Sequence, residues 1–201
     1  MSDMTHFQSF SNRDQLASYL AKEVAEDLRQ GINLHGAASL VVSGGSTPKP
    51  FFAALKQEAL PWDKVWITLA DERWVDADHP DSNEKLVREN LLPEGAHFVG
   101  LKNSAATPAE GAEEASNAVE NMPHPFDVVV LGMGDDGHTA SLFPKAPELA
   151  DAIAPDAPMA VGITPPSYAP HPRITLSLST LLNTRRLVVH ITGEAKQKIF
   201  E

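Results

Sequence analysis

The sequence predicts an α/β fold: a mostly parallel sheet with helices on both faces. Two observations carry that expectation. Short, nearly unbroken apolar runs, AASLVVS at 37–43, KVWITLA at 64–70 and FDVVVLG at 126–132, alternate with longer helical stretches. Strands that are apolar along their whole length are buried on both faces, the state of strands in a parallel sheet covered by helices. Polar clusters then begin where apolar runs end: Ser43–Pro48, Asp71–Trp74, Gly132–Ser141 and Gly193–Lys196. In a parallel sheet such ends share one rim, and ligands bind outside the carboxyl ends of the strands.

Taken in order, Ser11 or Asn12 is placed to cap a helix that reaches about Gln30. Leu16, Tyr19, Leu20, Val24 and Leu28 form its apolar face, and Gly31 is its expected end. After the strand at 37–43, Thr47 reads as an N-cap and Pro48 as the first residue of a helix to about Ala59. The strand at 64–70 leads into Asp71-Glu72-Arg73-Trp74. A polar loop over 76–82 precedes a short helix over 83–92, stopped by Pro93, and 97–100 reads as a short strand. Thr107-Pro108-Ala109-Glu110 has the form of a capping box with proline in the first position, opening a helix to about Met122. The strand at 126–132 runs into a Gly- and Asp-rich turn, 134–139, expected to open another short helix. Proline-rich loops at 146–158 and 165–172 separate further strands at 160–164, 173–178 and 186–192. There is no repeat and no long linker, so residues 1–201 are expected to form a single α/β domain.

Composition narrows the function. Lys and Arg number 16 against 27 Asp and Glu, a net charge of −11, and there is no cysteine. Disulfides, thiolate nucleophiles and cysteine-ligated zinc or iron–sulfur centres are thereby excluded. So acidic a chain is a poor generic binder of nucleic acid or of an anionic membrane. No apolar run approaches the ~18 residues of a membrane span, and MSDMTHFQSF has no signal-peptide pattern, so a cytoplasmic protein is expected.

The motifs then suggest chemistry. Ser43-Gly44-Gly45-Ser46-Thr47-Pro48 joins a strand to a helix start, where glycines let backbone N–H groups approach an anion and hydroxyls add donors. The alternative is a tight turn with a threonine cap. Gly132-Met-Gly-Asp-Asp-Gly-His-Thr139 fits both G-x-G-x-x-G and the P-loop spacing, but Asp135 and Asp136 would repel a phosphate chain and the P-loop lysine is missing. The side chains give a better reading. Asp136 lies two residues from His138 and can orient its ring, and imidazole is the side chain suited to proton transfer near neutral pH. Asp71 and Arg73 stand at another strand end, where a guanidinium can fork two bonds to a phosphate or carboxylate. Arg173 and Lys196 gain meaning only if an anion binds at that rim. Asp76, Asp78, His79 and Asp81 are close in sequence but meet no fixed metal-ligand spacing. The G-x-S-x-G of serine hydrolases is absent.

Taken together, SGGSTP (43–48), DERWV (71–75), DSN (81–83), GMGDDGHTASLFP (132–144), PRIT (172–175) and GEAK (193–196) resemble the 6-phosphogluconolactonase family in order and content. The wider group includes glucosamine-6-phosphate deaminases and shares a modified Rossmann-like sheet. The resemblance implies hydrolysis of 6-phospho-D-glucono-1,5-lactone, the second step of the oxidative pentose phosphate pathway, with no metal and no organic cofactor. It implies that His138 activates water and that Asp136 sets the turn and the imidazole. Ser43, Gly44, Gly45, Ser46, Thr47, Arg173 and Lys196 would hold the phosphate. Arg73 would meet phosphate or oxyanion, and Asn83 falls within the DSN match to the substrate site. Asp71 matches an acid–base carboxylate of the deaminases. The expected partner is a small phosphosugar lactone, and the sequence does not fix the oligomeric state. A deaminase and a non-catalytic sugar-phosphate sensor are the rivals. Phe143 stands where the deaminases carry a glutamate, and the retained Asp136 and His138 favour an enzyme. The family further implies a C-terminal helix that a chain ending at Glu201 is expected to lack.

Overall fold

In a computed structural model, which describes residues 6–201, the chain runs α1 (Arg13–His35), β1 (Ala38–Val42), α2 (Lys49–Leu55), β2 (Val65–Leu69) and β3 (Asp71–Arg73). It continues through α3 (Asn83–Asn90), β4 (His97–Val99), α4 (Pro108–Glu120), β5 (Phe126–Leu131), α5 (Leu149–Ala152) and β6 (Ala160–Ile163). The last elements are β7 (Arg173–Leu176), α6 (Leu178–Leu182), β8 (Thr184–Val189) and α7 (Glu194–Phe200). Five strands form a wholly parallel sheet in the order β4-β2-β1-β5-β8. Every residue of β1 and β5 is buried, as their nearly unbroken apolar sequences predict.

The strand order reverses beside β1, which is followed by β2 on one side and has β5 on the other. The loops leaving β1 and β5 therefore part at the switch point of the sheet, where a crevice opens outside the carboxyl ends of the strands. This single fact of topology brings Ser43–Thr47 and Gly132–Thr139 together across some 90 residues of chain.

A second, three-stranded sheet, β3-β7-β6, is antiparallel, and here the sequence reading needs correction. Asp71–Arg73 is not a cluster hanging from a strand end but a strand itself, and Arg173 opens an antiparallel strand rather than a parallel one. Ala70 bridges the two sheets: its N–H donates to Val42 O at 2.8 Å and its carbonyl accepts from Leu176 N at 2.8 Å.

Other boundaries also differ. α1 passes through Gly31 and ends at Gly36, whose φ of 84° supplies the left-handed cap. Gly31 is there because Asp127 presses on the helix: a Cβ would lie 2.3 Å from its Oδ1. Pro48, not Thr47, occupies the N-cap of α2, with no side-chain cap bond, and α2 stops at Leu55. The turn after β5 opens no helix: residues 132–148 stay irregular, and the short α5 appears inside what reads as a proline-rich loop. Ser177, expected within a strand, instead caps α6 by accepting from Thr180 N. Asn12 and Thr107 cap α1 and α4 as expected. Among the described residues no helix is long and apolar enough to cross a membrane.

Candidate active site

A cavity of about 710 Å³ opens at the switch point, within the range of small-molecule sites. All twelve residues singled out from the sequence line it: Ser43, Gly44, Gly45, Ser46, Thr47, Asp71, Arg73, Asn83, Asp136, His138, Arg173 and Lys196.

The alternation of β3 determines half of this wall. Successive strand residues point to opposite faces, and directly opposed residues in an antiparallel pair share a face. Asp71 opposes Thr175 and Arg73 opposes Arg173, so these four point one way. Glu72 points the other way and is 1% exposed. It receives the backbone N–H groups of Arg73, Asn83 and Glu84 at 2.7–2.8 Å and the Ser82 hydroxyl at 3.1 Å, tethering the start of α3. Burial pushes the Glu72 carboxyl above its ordinary pKa, and those backbone donors oppose the rise. Asn83, the first residue of α3, is thereby seated beside the cavity, donating to Asp71 O at 2.9 Å. Asn83 also explains Gly44, where a Cβ would fall 1.8 Å from its Oδ1.

Arg73 and Arg173 place two guanidinium groups side by side, an arrangement that repels itself. Neither forms an ion pair among the described residues, and the Nε of each is buried without a hydrogen-bond partner. Arg173 is 6% exposed. Burial lowers its pKa, Asp71 raises it and Arg73 lowers it again. Buried unpaired cations are costly, and no side chain among the described residues neutralises this wall. Opposite it, the N–H groups of Gly44–Thr47 donate to no acceptor among the described residues, while Ser43 Oγ accepts from Gly132 N at 3.2 Å and ties the two loops together.

On the β5 side, His138 Nδ1 hydrogen-bonds Asp136 Oδ1, and Tyr168 donates its hydroxyl to Asp136 Oδ2. Partial burial alone would raise the Asp136 pKa, but the Tyr168 and His138 contacts outweigh it and hold the carboxyl at about 2. An ionised carboxylate only accepts, so Nδ1 carries the proton and the lone pair of a neutral ring lies on Nε2. Gly134 makes room for this arrangement, since a Cβ there would meet His138 Cε1 at 2.2 Å. The Phe143 ring packs on the imidazole with centroids 4.3 Å apart.

Two residues are placed otherwise than their sequence reading implies. Lys196 lines the cavity, but its ammonium donates to Met133 O and pairs with Asp135 at 2.9 Å. Asp71, 7% exposed, accepts the Ser141 hydroxyl at 2.5 Å. Tyr168 and His190, which also line the cavity, and Ser141 behind Asp71 were not legible from the sequence. Tyr168 comes from a proline-rich loop with no pattern of its own, and His190 follows a strand like any polar residue.

His190 is 6% exposed, edge-on to Phe51 at 6.2 Å, and burial pushes its pKa down to about 4. The sign of the consequence is fixed. Between pH 6.5 and 4 the unfolded chain takes up a proton that the folded chain refuses. Stability present above pH 6.5 is therefore lost as the pH falls through this window, by about 3 kcal/mol in all. Urea unfolding of the wild type and of His190→Asn at pH 7 and 4.5 checks this. The variant is expected to lose less stability on acidification, and equal losses would show that His190 is not responsible.

Comparison with known proteins follows the same lines. Residues 11–201 match the family model described as glucosamine-6-phosphate isomerases/6-phosphogluconolactonase. The chain is 44% identical over 193 residues to a 6-phosphogluconolactonase of Rhizobium meliloti, covering 94% of this chain and 83% of that one. It is also 44% identical over 193 residues to one from Pseudomonas aeruginosa, covering 94% and 81%. A crystal structure of a 6-phosphogluconolactonase from Shewanella baltica superposes with a TM-score of 0.95 at 48% identity, over 100% of this chain and 86% of that one. A monomeric glucosamine-6-phosphate deaminase shares the fold at 16% identity, with a TM-score of 0.79. The two-sheet architecture, the cavity at its switch point and the match over residues 11–201 agree: the chain belongs to the glucosamine-6-phosphate isomerase/6-phosphogluconolactonase family.

Proposed function

We propose that the protein hydrolyses 6-phospho-D-glucono-1,5-lactone to 6-phospho-D-gluconate by general-base activation of water. The observation that carries this reading is one cavity holding both an oriented imidazole and two guanidiniums, Arg173 buried and Arg73 half-buried, without carboxylate partners among the described residues. Relatives at 42–48% identity named as 6-phosphogluconolactonases support the substrate.

His138 Nε2 removes a proton from water as the water oxygen attacks the lactone carbonyl. The carbonyl oxygen becomes an oxyanion, and Arg73 is the nearby cation suited to meet it. Collapse of the adduct breaks the ring C–O bond, and the protonated imidazole returns its proton to the departing ring oxygen. No covalent enzyme intermediate is needed, in keeping with the lack of cysteine and of an activated serine. Asp136 keeps the proton on Nδ1, and Tyr168 holds Asp136. The phosphate is assigned to Arg173 and the N–H groups of Gly44–Thr47, with the hydroxyls of Ser43, Ser46 and Thr47 around it. Holding the remote phosphate sets the carbonyl against His138 and reduces the entropic cost of the attack. Asp71 is assigned a positioning role beside the two arginines, and Asn83 fixes the strand that carries them. Lys196, spent on Asp135 and Met133, serves the loop more than the phosphate.

A deaminase is disfavoured by Phe143, an apolar ring packed at a tilt against His138 where a proton-carrying glutamate would be required. Direct assays separate the two. The purified chain is expected to accelerate opening of 6-phosphogluconolactone above its spontaneous rate and to release no ammonia from glucosamine 6-phosphate. Ammonia release without lactone hydrolysis would overturn the reading.

A further inference from the structure

Outside the cavity the fold assembles a second polar cluster whose members are remote in sequence. His79 and Asp81 lie in the loop between β3 and α3, and His171 lies 90 residues further on, just before β7. His171 Nε2 is 2.8 Å from Asp81 Oδ2, His79 Nδ1 is 4.0 Å from the same oxygen, and the three ligand atoms all lie within 4.8 Å of one another. The two imidazoles meet edge to face with centroids 5.2 Å apart.

The backbone holds this geometry from both sides. Trp74 N donates to Pro172 O at 2.8 Å, pinning the two segments together at their bases, and Arg73 donates to Asp81 O at 2.6 Å. His171 itself sits at φ 68°, the left-handed region that non-glycine residues rarely occupy. Arg73 binds the main-chain oxygen of Asp81 and leaves its carboxylate to the imidazoles. His79 Nδ1 accepts from Asp81 N at 3.1 Å, so this nitrogen is unprotonated and its lone pair is engaged by that backbone N–H, a bond that a metal ligated there would replace.

Two imidazole nitrogens and one carboxylate oxygen are a donor set for a borderline first-row divalent cation. Calcium and magnesium prefer oxygen ligands throughout. Ligand atoms on a tetrahedral zinc ion at about 2.0–2.2 Å lie about 3.3 Å apart. The 2.8 and 4.0 Å separations bracket that value and the third lies within 4.8 Å, so shifts of about an ångström or more in these partly exposed side chains would close the shell.

We propose that His79, Asp81 and His171 form a surface site for Zn2+, with its remaining coordination positions open to water, that clasps the 74–82 loop to the 164–172 loop. The ion takes no part in lactone hydrolysis. Its reach toward the cavity is mechanical: His171 lies three residues from Tyr168, whose hydroxyl holds Asp136, so the clasp fixes the loop that carries this contact.

The test uses the full chain without a histidine tag. Zn2+ is titrated calorimetrically, and Co2+ is followed by its visible absorption, in the wild type, His79→Ala, His171→Asn and His138→Ala. Asparagine tolerates the left-handed backbone, so His171→Asn keeps the fold while withdrawing the ligand. One equivalent of metal is expected in the wild type and in His138→Ala, with binding weakened more than about tenfold in both His79→Ala and His171→Asn. No saturable binding in the wild type, undiminished binding in either loop variant, or loss confined to His138→Ala would each overturn the site.

Discussion

His138→Ala is expected to lower kcat for 6-phosphogluconolactone by about 10²–10⁴-fold, the span over which a positioned general base acts. The expectation follows from the Asp136 contact, which leaves the basic lone pair on the nitrogen turned from the carboxylate. Binding should survive, because His138 hydrogen-bonds neither Arg173 nor the Gly44–Thr47 loop among the described residues and meets Arg173 only through the Phe143 ring; 6-phosphogluconate is expected to bind the variant with nearly wild-type affinity. The rates must be corrected for spontaneous lactone opening, since a residual tenth of a per cent of activity can vanish beneath it. A kcat within a few-fold of wild type would remove His138 from the mechanism. Tyr168→Phe is the milder companion. It deletes one of the bonds holding Asp136 but leaves the carboxylate and ring in contact, so a fall of no more than about tenfold is expected.

Arg173→Ala is expected to weaken binding of substrate and of 6-phosphogluconate by about 10- to 150-fold, corresponding to the 1.5–3 kcal/mol of a hydrogen bond to a charged group. Its effect on folding should run against the usual rule for a buried side chain. Among the described residues Arg173 has no ion-pair partner and its Nε is unsatisfied, and it faces Arg73 across the sheet. Removing it relieves a repulsion, so the melting temperature is expected to stay level or rise while affinity falls. Normal KM values in this variant would assign the phosphate elsewhere. A loss of kcat with KM intact would instead mark Arg173 as a partner of the transition state alone.

How much of this could be read beforehand depends on the range of the signal. The parallel sheet was legible because β1, β2 and β5 each bury both faces and show it in consecutive residues. The cavity was legible for the same reason, since residues after such strands meet on one rim. The small antiparallel sheet was not: β3 is three residues long, and Asp-Glu-Arg has no apolar alternation to mark it. Its partner β7 contributes fully buried residues that look the same in a parallel strand. Gly31 misled because a glycine in a helix normally signals an end, whereas here it yields space to Asp127 from a strand 96 residues away. Lys196 lines the cavity but its engagement was hidden, because Asp135 reaches it only once the loop after β5 meets α7. His171 stayed silent for a like reason, its partners lying on a loop 90 residues earlier.

The three residues of β3 also decide what kinds of change the protein can absorb. A point substitution there alters one face, but an insertion or deletion of a single residue just before Asp71 would turn the strand over. Glu72 would then be thrust into the cavity beside Arg173, neutralising the positive wall proposed to hold the phosphate, while the start of α3 would be met by Asp71 or Arg73 in its place. Loss of ligand capture and loss of a helix would arrive together from one codon. The passage between the two sheets is therefore expected to vary in residue type but never in length.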